Sequence, residues 1–138
     1  MKRYILKETQ EHPNRIYGLV CTKPFTQLVW NLSETLDIPF TRDSDVSLKQ
    51  AENSQSWPRC SFVDGDTEST YSIVKNKGVD NILAPELKNV DAFLIETNQS
   101  LTFQLSLEKV SQTRFIDFCF EVTHNMINDE TDLLLYVE

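Results

Sequence analysis

The densest group of side chains able to do chemistry lies between Asn76 and Glu96. Asp80, Glu86, Asp91 and Glu96 supply carboxylates, and Asn76, Lys77 and Lys88 add donors. Two carboxylates do general acid–base work when one pKa is raised and the other is ordinary. Without such a split, the same group hydrogen-bonds a small polar ligand or a partner's backbone. The candidate binding residues are therefore Asn76, Lys77, Glu86, Lys88 and Asp91. A purely structural explanation stands beside this one: Pro85 starts a turn, Glu86 caps it and Asp91 pins the entry to a strand.

No catalytic constellation, metal site or cofactor motif is expected elsewhere. His12 and His124 form no local pair. Gly18, Gly65 and Gly78 are too far apart for a phosphate-binding loop. Asp64, Asp66 and Glu68 suggest a fragment of a calcium loop, but the ligand run is short and Gly65 is misplaced. Cys21, Cys60 and Cys119 lie in apolar runs without a CxxC pair, so they read as buried free thiols in a reducing compartment. A Cys–His pair would form only through the fold.

The carboxylates need a scaffold, and Ile82 to Glu96 provides it. Pro85 pushes Ala84 out of the helical region and suits the first position of a short helical turn. Glu86 then meets the unpaired N–H groups of that turn. Val90, Phe93, Leu94 and Ile95 follow as a near-continuous apolar run, the pattern of a central strand. Pro85-Glu86-Leu87-Lys88-Asn89-Val90-Asp91 resembles the signature of the IPExxxVDY family, small bacterial proteins of unknown function. Pro85, Glu86, Val90 and Asp91 agree with it, while Ala84 and Ala92 replace the family's Ile and Tyr. Asn76-Lys77-Gly78 resembles the Asn-Lys that precedes the motif. Tyr17-Gly18-Leu19-Val20 and the helix with Trp30 resemble the family's first strand and helix. The resemblance implies a single cytoplasmic domain and no known activity.

A length of 138 residues and a hydrophobic share of 40% fit one domain over 1–138. The net charge of −8 argues against a nucleic-acid partner. No Lys or Arg follows Arg114, whereas six acidic residues do. That end reads as a solvated acidic tail or as a surface for a basic partner. Met1 to Lys7 is too short for a signal peptide, and no apolar run approaches a membrane span.

Along the chain, Arg3–Lys7 and Ile16–Thr22 read as strands. Thr22 can cap and Pro24 begin a helix on which Phe25, Leu28, Val29, Leu32 and Leu36 form one stripe, with Asn31 on the other side. Trp30 lies off that stripe, either as a flanking core residue or as an aromatic anchor for a partner. Residues 41–57 read as a long polar loop. Arg59–Val63 and Tyr71–Lys75 form a hairpin around Asp64-Gly65-Asp66. Ser100–Gln112 reads as a helix, Phe115–Val122 as the last clear strand, and Leu133–Val137 as a closing strand or an extended tail.

This order predicts an α+β fold with a split βαβ-like antiparallel or mixed sheet, extra strands, and two helices packed on one face. The other face is left for solvent, a loop or a second subunit, so a homodimer through the sheet is an expectation. Three function classes follow. The leading one is a cytoplasmic, non-enzymatic binding or adaptor module acting through protein contacts. The alternative is a small-ligand sensor near Pro85-Glu86 and Val90-Asp91. The third is an enzyme with scattered carboxylates or Lys77.

Overall fold

A computed structural model describes residues 13–50, 53–78 and 81–126. The expected strands at Arg3–Lys7 and Leu133–Val137, and the candidate Asp80, lie outside the described residues. The elements are β1 (Asn14–Cys21), α1 (Phe25–Leu36), β2 (Thr41–Gln50), β3 (Asn53–Asp64), β4 (Ser69–Lys75), β5 (Ala92–Asn98), α2 (Leu107–Ser111) and β6 (Ile116–Val122). The six strands form one sheet in the order β2-β3-β4-β5-β1-β6, and every neighbouring pair is antiparallel. The fold is therefore α+β and mostly sheet. β5 and β6 flank β1 on either side, with α2 in the connection between them.

Side chains alternate across a strand, and here both faces are covered. On one face, Tyr17, Leu19, Tyr71, Ile73, Ala92 and Leu94 pack with Leu28 and Leu32 of α1 and Val110 of α2. On the other, Ile16, Val74, Phe93, Ile95 and Val122 pack with Trp57 and with Leu83, Ala84 and Val90. The 83–90 segment, a loop with a short 3-10 turn, covers part of the second face. No helix among the described residues is long and apolar enough to cross a membrane.

α1 keeps its predicted stripe, with two differences. Pro24 itself is the N-cap, at ψ 157°, and no side chain caps the helix, so Thr22 does not act there. Asn31 is buried, because the stretch before β6 lies against that side, and its Nδ2 donates to the Arg114 carbonyl at 3.5 Å. Asp37 ends the helix in the left-handed region, and the Ile38 N–H donates to the Ser33 carbonyl.

Two larger expectations are corrected. The polar loop at 41–57 is mostly the hairpin β2–β3. Its composition hid it, since these strands lack clean apolar alternation. Pro58 cannot donate to the ladder, and the register shifts opposite it: Asp43 pairs with Arg59 and Val46 with Trp57, leaving Ser44 and Asp45 as a bulge. Arg42 donates to the Asp43 and Arg59 carbonyls, and Arg59 to the Ser44 carbonyl, so side chains serve the interrupted backbone. The Ser61 hydroxyl and the Ser44 N–H hold Asp43 below the usual carboxylate range.

The helix expected over 100–112 shrinks to α2. Competing acceptors take the amides that a longer helix would use. The Asn98 side chain accepts from the Ser100 and Thr102 N–H groups. The fully buried Glu96 carboxylate accepts from the Gln104 N–H at 2.7 Å, the Leu105 N–H at 2.9 Å and the Ser69 hydroxyl at 2.8 Å. Leu101 adopts φ 62°, which breaks any helical run. Ser106 then caps α2 by accepting from the Lys109 N–H.

Glu96→Gln places an amide N–H₂ against donors and strands one of them. Urea unfolding should show a loss of about 1–3 kcal/mol with an unchanged m value. Tyr17 and Tyr71 titrate above their ordinary value, chiefly through desolvation by burial. The folded state holds these phenolic protons more tightly than the unfolded chain does. Their stabilisation is complete below the unfolded value, about 10, and is lost as pH rises through the folded values. The urea midpoint should fall above about pH 10, less steeply in a Tyr17→Phe/Tyr71→Phe variant.

Candidate functional site

Asn76 sits at the end of β4 and is fully buried. Its Nδ2 donates to the Val90 carbonyl at 2.8 Å and the Leu87 carbonyl at 3.1 Å, and its Oδ1 accepts from the Ala84 N–H at 2.8 Å. Its backbone N–H donates to the Asp91 carbonyl, and its carbonyl accepts from the Leu83 N–H. The side chain is thus occupied in closing the 83–91 segment over the second face. Pro85 opens the expected turn, a 3-10 helix over Pro85–Leu87. Gly78 lies where a Cβ would come within 2.9 Å of the Ser56 carbonyl and 3.1 Å of the Trp57 ring, so this turn can rest directly on the buried Trp57.

Asp91 does pin a strand. Its N–H donates to the Leu19 carbonyl, and its Oδ2 accepts from the Cys21 N–H at 2.8 Å, both on β1. Its Oδ1 lies 3.5 Å from Lys77 Nζ, an ion pair with both side chains partly exposed. Glu86 and Lys88 are exposed on the 3-10 turn and just after it. The fold therefore pairs Lys77 with Asp91, leaves Glu86 and Lys88 exposed on the turn that precedes Asp91, and withdraws Asn76 into the interior. Glu96 does not join them, since it lies beneath the 100–105 stretch. Trp30 is 62% exposed on α1, which packs on the opposite sheet face, so its flanking-core reading is overturned.

A concave site that the sequence did not reveal lies between α2 and β6. Leu107, Glu108, Ser111, Ile116, Asp117, Phe118 and Cys119 line an open groove of about 460 Å³. Phe118 is 60% exposed and Leu107 41% exposed. The Phe118 ring centroid lies 5.7 Å from that of Phe120, whose ring fills the space left by Gly18 on β1. The apolar run of Phe115–Val122 was the available signal, but nothing in it says that β6 ends the sheet. The three cysteines are unpaired; Cys21 is buried, while Cys60 and Cys119 are only partly so. Desolvation raises the Cys60 and Cys119 thiols above their ordinary value. Among the described residues, no group of three His, Cys, Asp or Glu side chains is placed to hold a metal ion.

No family model matches the chain, and no solved structure does. The chain is similar to an uncharacterized lipoprotein, MG040, of Mycoplasma genitalium, with 26% identity over 106 residues. The match takes in 72% of this chain and 17% of that protein, so the chain spans under a fifth of the relative's length.

Asn76→Ala should cost about 2–3 kcal/mol in urea unfolding, because it orphans the buried Ala84 N–H and two carbonyls. Lys88→Ala, on the exposed turn, should stay within about 0.5 kcal/mol of the parent.

Proposed function

We propose that this protein is a non-enzymatic binding module that acts through protein–protein contacts. The observation that carries the reading is exposed apolar surface on both sides of β6: an open groove toward α2 with an apolar floor at Leu107 and Ile116, and the exposed Phe118 ring beside Phe120 on the other side. Exposed apolar surface rimmed by polar groups is characteristic of interaction sites. The exposed Trp30 supports the same reading from a second surface. A cytoplasmic location is part of the proposal and is supported by the three unpaired thiols. Membership of the IPExxxVDY family is likewise proposed, supported by the turn that Pro85 opens and the strand that Asp91 pins. The passage from β5 through α2 to β6, around β1, is the part that supports a split βαβ relation.

The second reading is a sensor for a small polar ligand. It rests on the ion pair of Lys77 with Asp91, near the exposed Glu86 and Lys88. Thermal unfolding against metabolites separates the two. A ligand at a hundred times its dissociation constant adds about 2.7 kcal/mol, and a sensor would lose that gain in Glu86→Gln. For the protein-binding reading, cross-linking in a lysate of the source cell should capture a reproducible partner. Phe118→Lys should abolish the capture without lowering Tm, and Glu86→Gln should leave it intact. Capture that ignores Phe118→Lys overturns the assignment to this groove.

A further inference from the structure

The groove has two properties beyond its shape. It is acidic: Glu108 and Asp117 line it, no Lys or Arg does, and neither carboxylate forms a salt bridge among the described residues. Lys109 follows Glu108 on α2 but does not line the groove, and three other cations have partners of their own. Arg15 meets Glu121 at 3.5 Å and stacks over Phe103 at 4.5 Å, while Lys23 and Arg114 lie against the Phe115 ring. The groove is also lined in part by an edge strand, since Ile116 to Cys119 belong to β6. β6 is the last strand in the sheet order, and among the described residues its Phe118–Phe120 part pairs with β1. A strand edge presents a row of backbone donors and acceptors that a further strand can take up.

The two edges of the sheet differ. β2 carries the bulge at Ser44 and Asp45 and a mesh of Arg42, Asp43, Asp45 and Arg59 charges, devices that discourage strand addition. Along β6 the register with β1 holds from Ile16↔Val122 to Val20↔Phe118, and the irregularity comes only at its first residues. The apolar Phe118 is exposed in that regular part.

Resting on the protein-binding reading above, we propose that β6 binds an extended, cationic segment of a partner protein as a seventh strand. The segment's apolar side chains would enter the groove floor at Leu107 and Ile116, and its Lys or Arg side chains would meet Glu108 and Asp117. A second copy of this chain is the weaker occupant. Symmetric pairing of two β6 edges would bring two acidic grooves together in a chain of net charge −8, and opposed like charges destabilise strand pairs.

The test uses the full chain and a labelled peptide of alternating Val and Lys, beside its Val and Glu counterpart and a version with a central Pro. Fluorescence anisotropy should show binding of the Val/Lys peptide only. Its affinity should fall at least tenfold in Glu108→Lys/Asp117→Lys and weaken with added salt. Hydrogen exchange should show new protection at the Phe118 to Phe120 amides. Equal binding of the Glu or Pro peptides, no binding, or no new protection on β6 overturns strand addition. If lysate capture still depends on Phe118 in that case, the protein-binding reading stands and only the strand geometry fails. A dimer in sedimentation equilibrium that Phe118→Lys dissolves overturns the proposal in favour of self-association.

Discussion

The fold depends on one amide side chain. A six-stranded sheet with apolar residues on both faces needs two covers, and among the described residues both α-helices pack on the same face. The second cover is an irregular segment that contains Leu83, Ala84 and Val90. Irregular backbone cannot be buried unless its N–H and C=O groups find partners. Asn76 supplies them: one buried side chain serves three backbone groups of that segment. Asp91 closes the same segment from its other end by holding two backbone groups of β1. Asn76 and Asp91 are therefore positions of backbone accounting.

Glu96 solves the matching problem on the helical side. The 98–106 stretch crosses toward α2 without helical hydrogen bonds of its own. A buried carboxylate replaces them, accepting from two amides and a hydroxyl, while Asn98 serves two more amides. These fixed acceptors give the short loop a defined path over Tyr17, whose hydroxyl donates to the Leu105 carbonyl at 3.3 Å. In both places a polar side chain on a strand dictates a non-helical path, and in both it ceases to be available for chemistry.

Another exposed surface lies at the sheet's end. The acidic groove beside β6 combines an apolar floor with two carboxylates and has no basic residue in its lining, and the exposed Phe118 ring stands beside Phe120 on the same strand. The opposite edge carries charges and a bulge that discourage addition. Acid–base catalysis would need two carboxylates placed together in environments that push their pKa values apart. Asp91 and Glu96 instead hold different segments, Asp91 on β1 and Glu96 under the 100–105 stretch.

The sequence by itself determined much of the local order. The helix over Phe25–Leu36, the Asp64 turn, the Pro85 turn and the central β5 follow from side-chain periodicity and from what Pro permits, which are local properties. Those same rules missed the β2–β3 hairpin, because its polar strands carry no alternation and a bulge at Ser44 and Asp45, opposite Pro58, interrupts them. They overextended the helix near Ser100, because the competing acceptors reach the chain from Glu96 and Asn98. Tertiary structure alone decided that Asn76 would be enclosed, that Trp30 would face outward, and that among the described residues β6 would end the sheet beside α2. Each of these depends on which elements meet, and meeting is set by the covering of two apolar faces rather than by any residue's own preference.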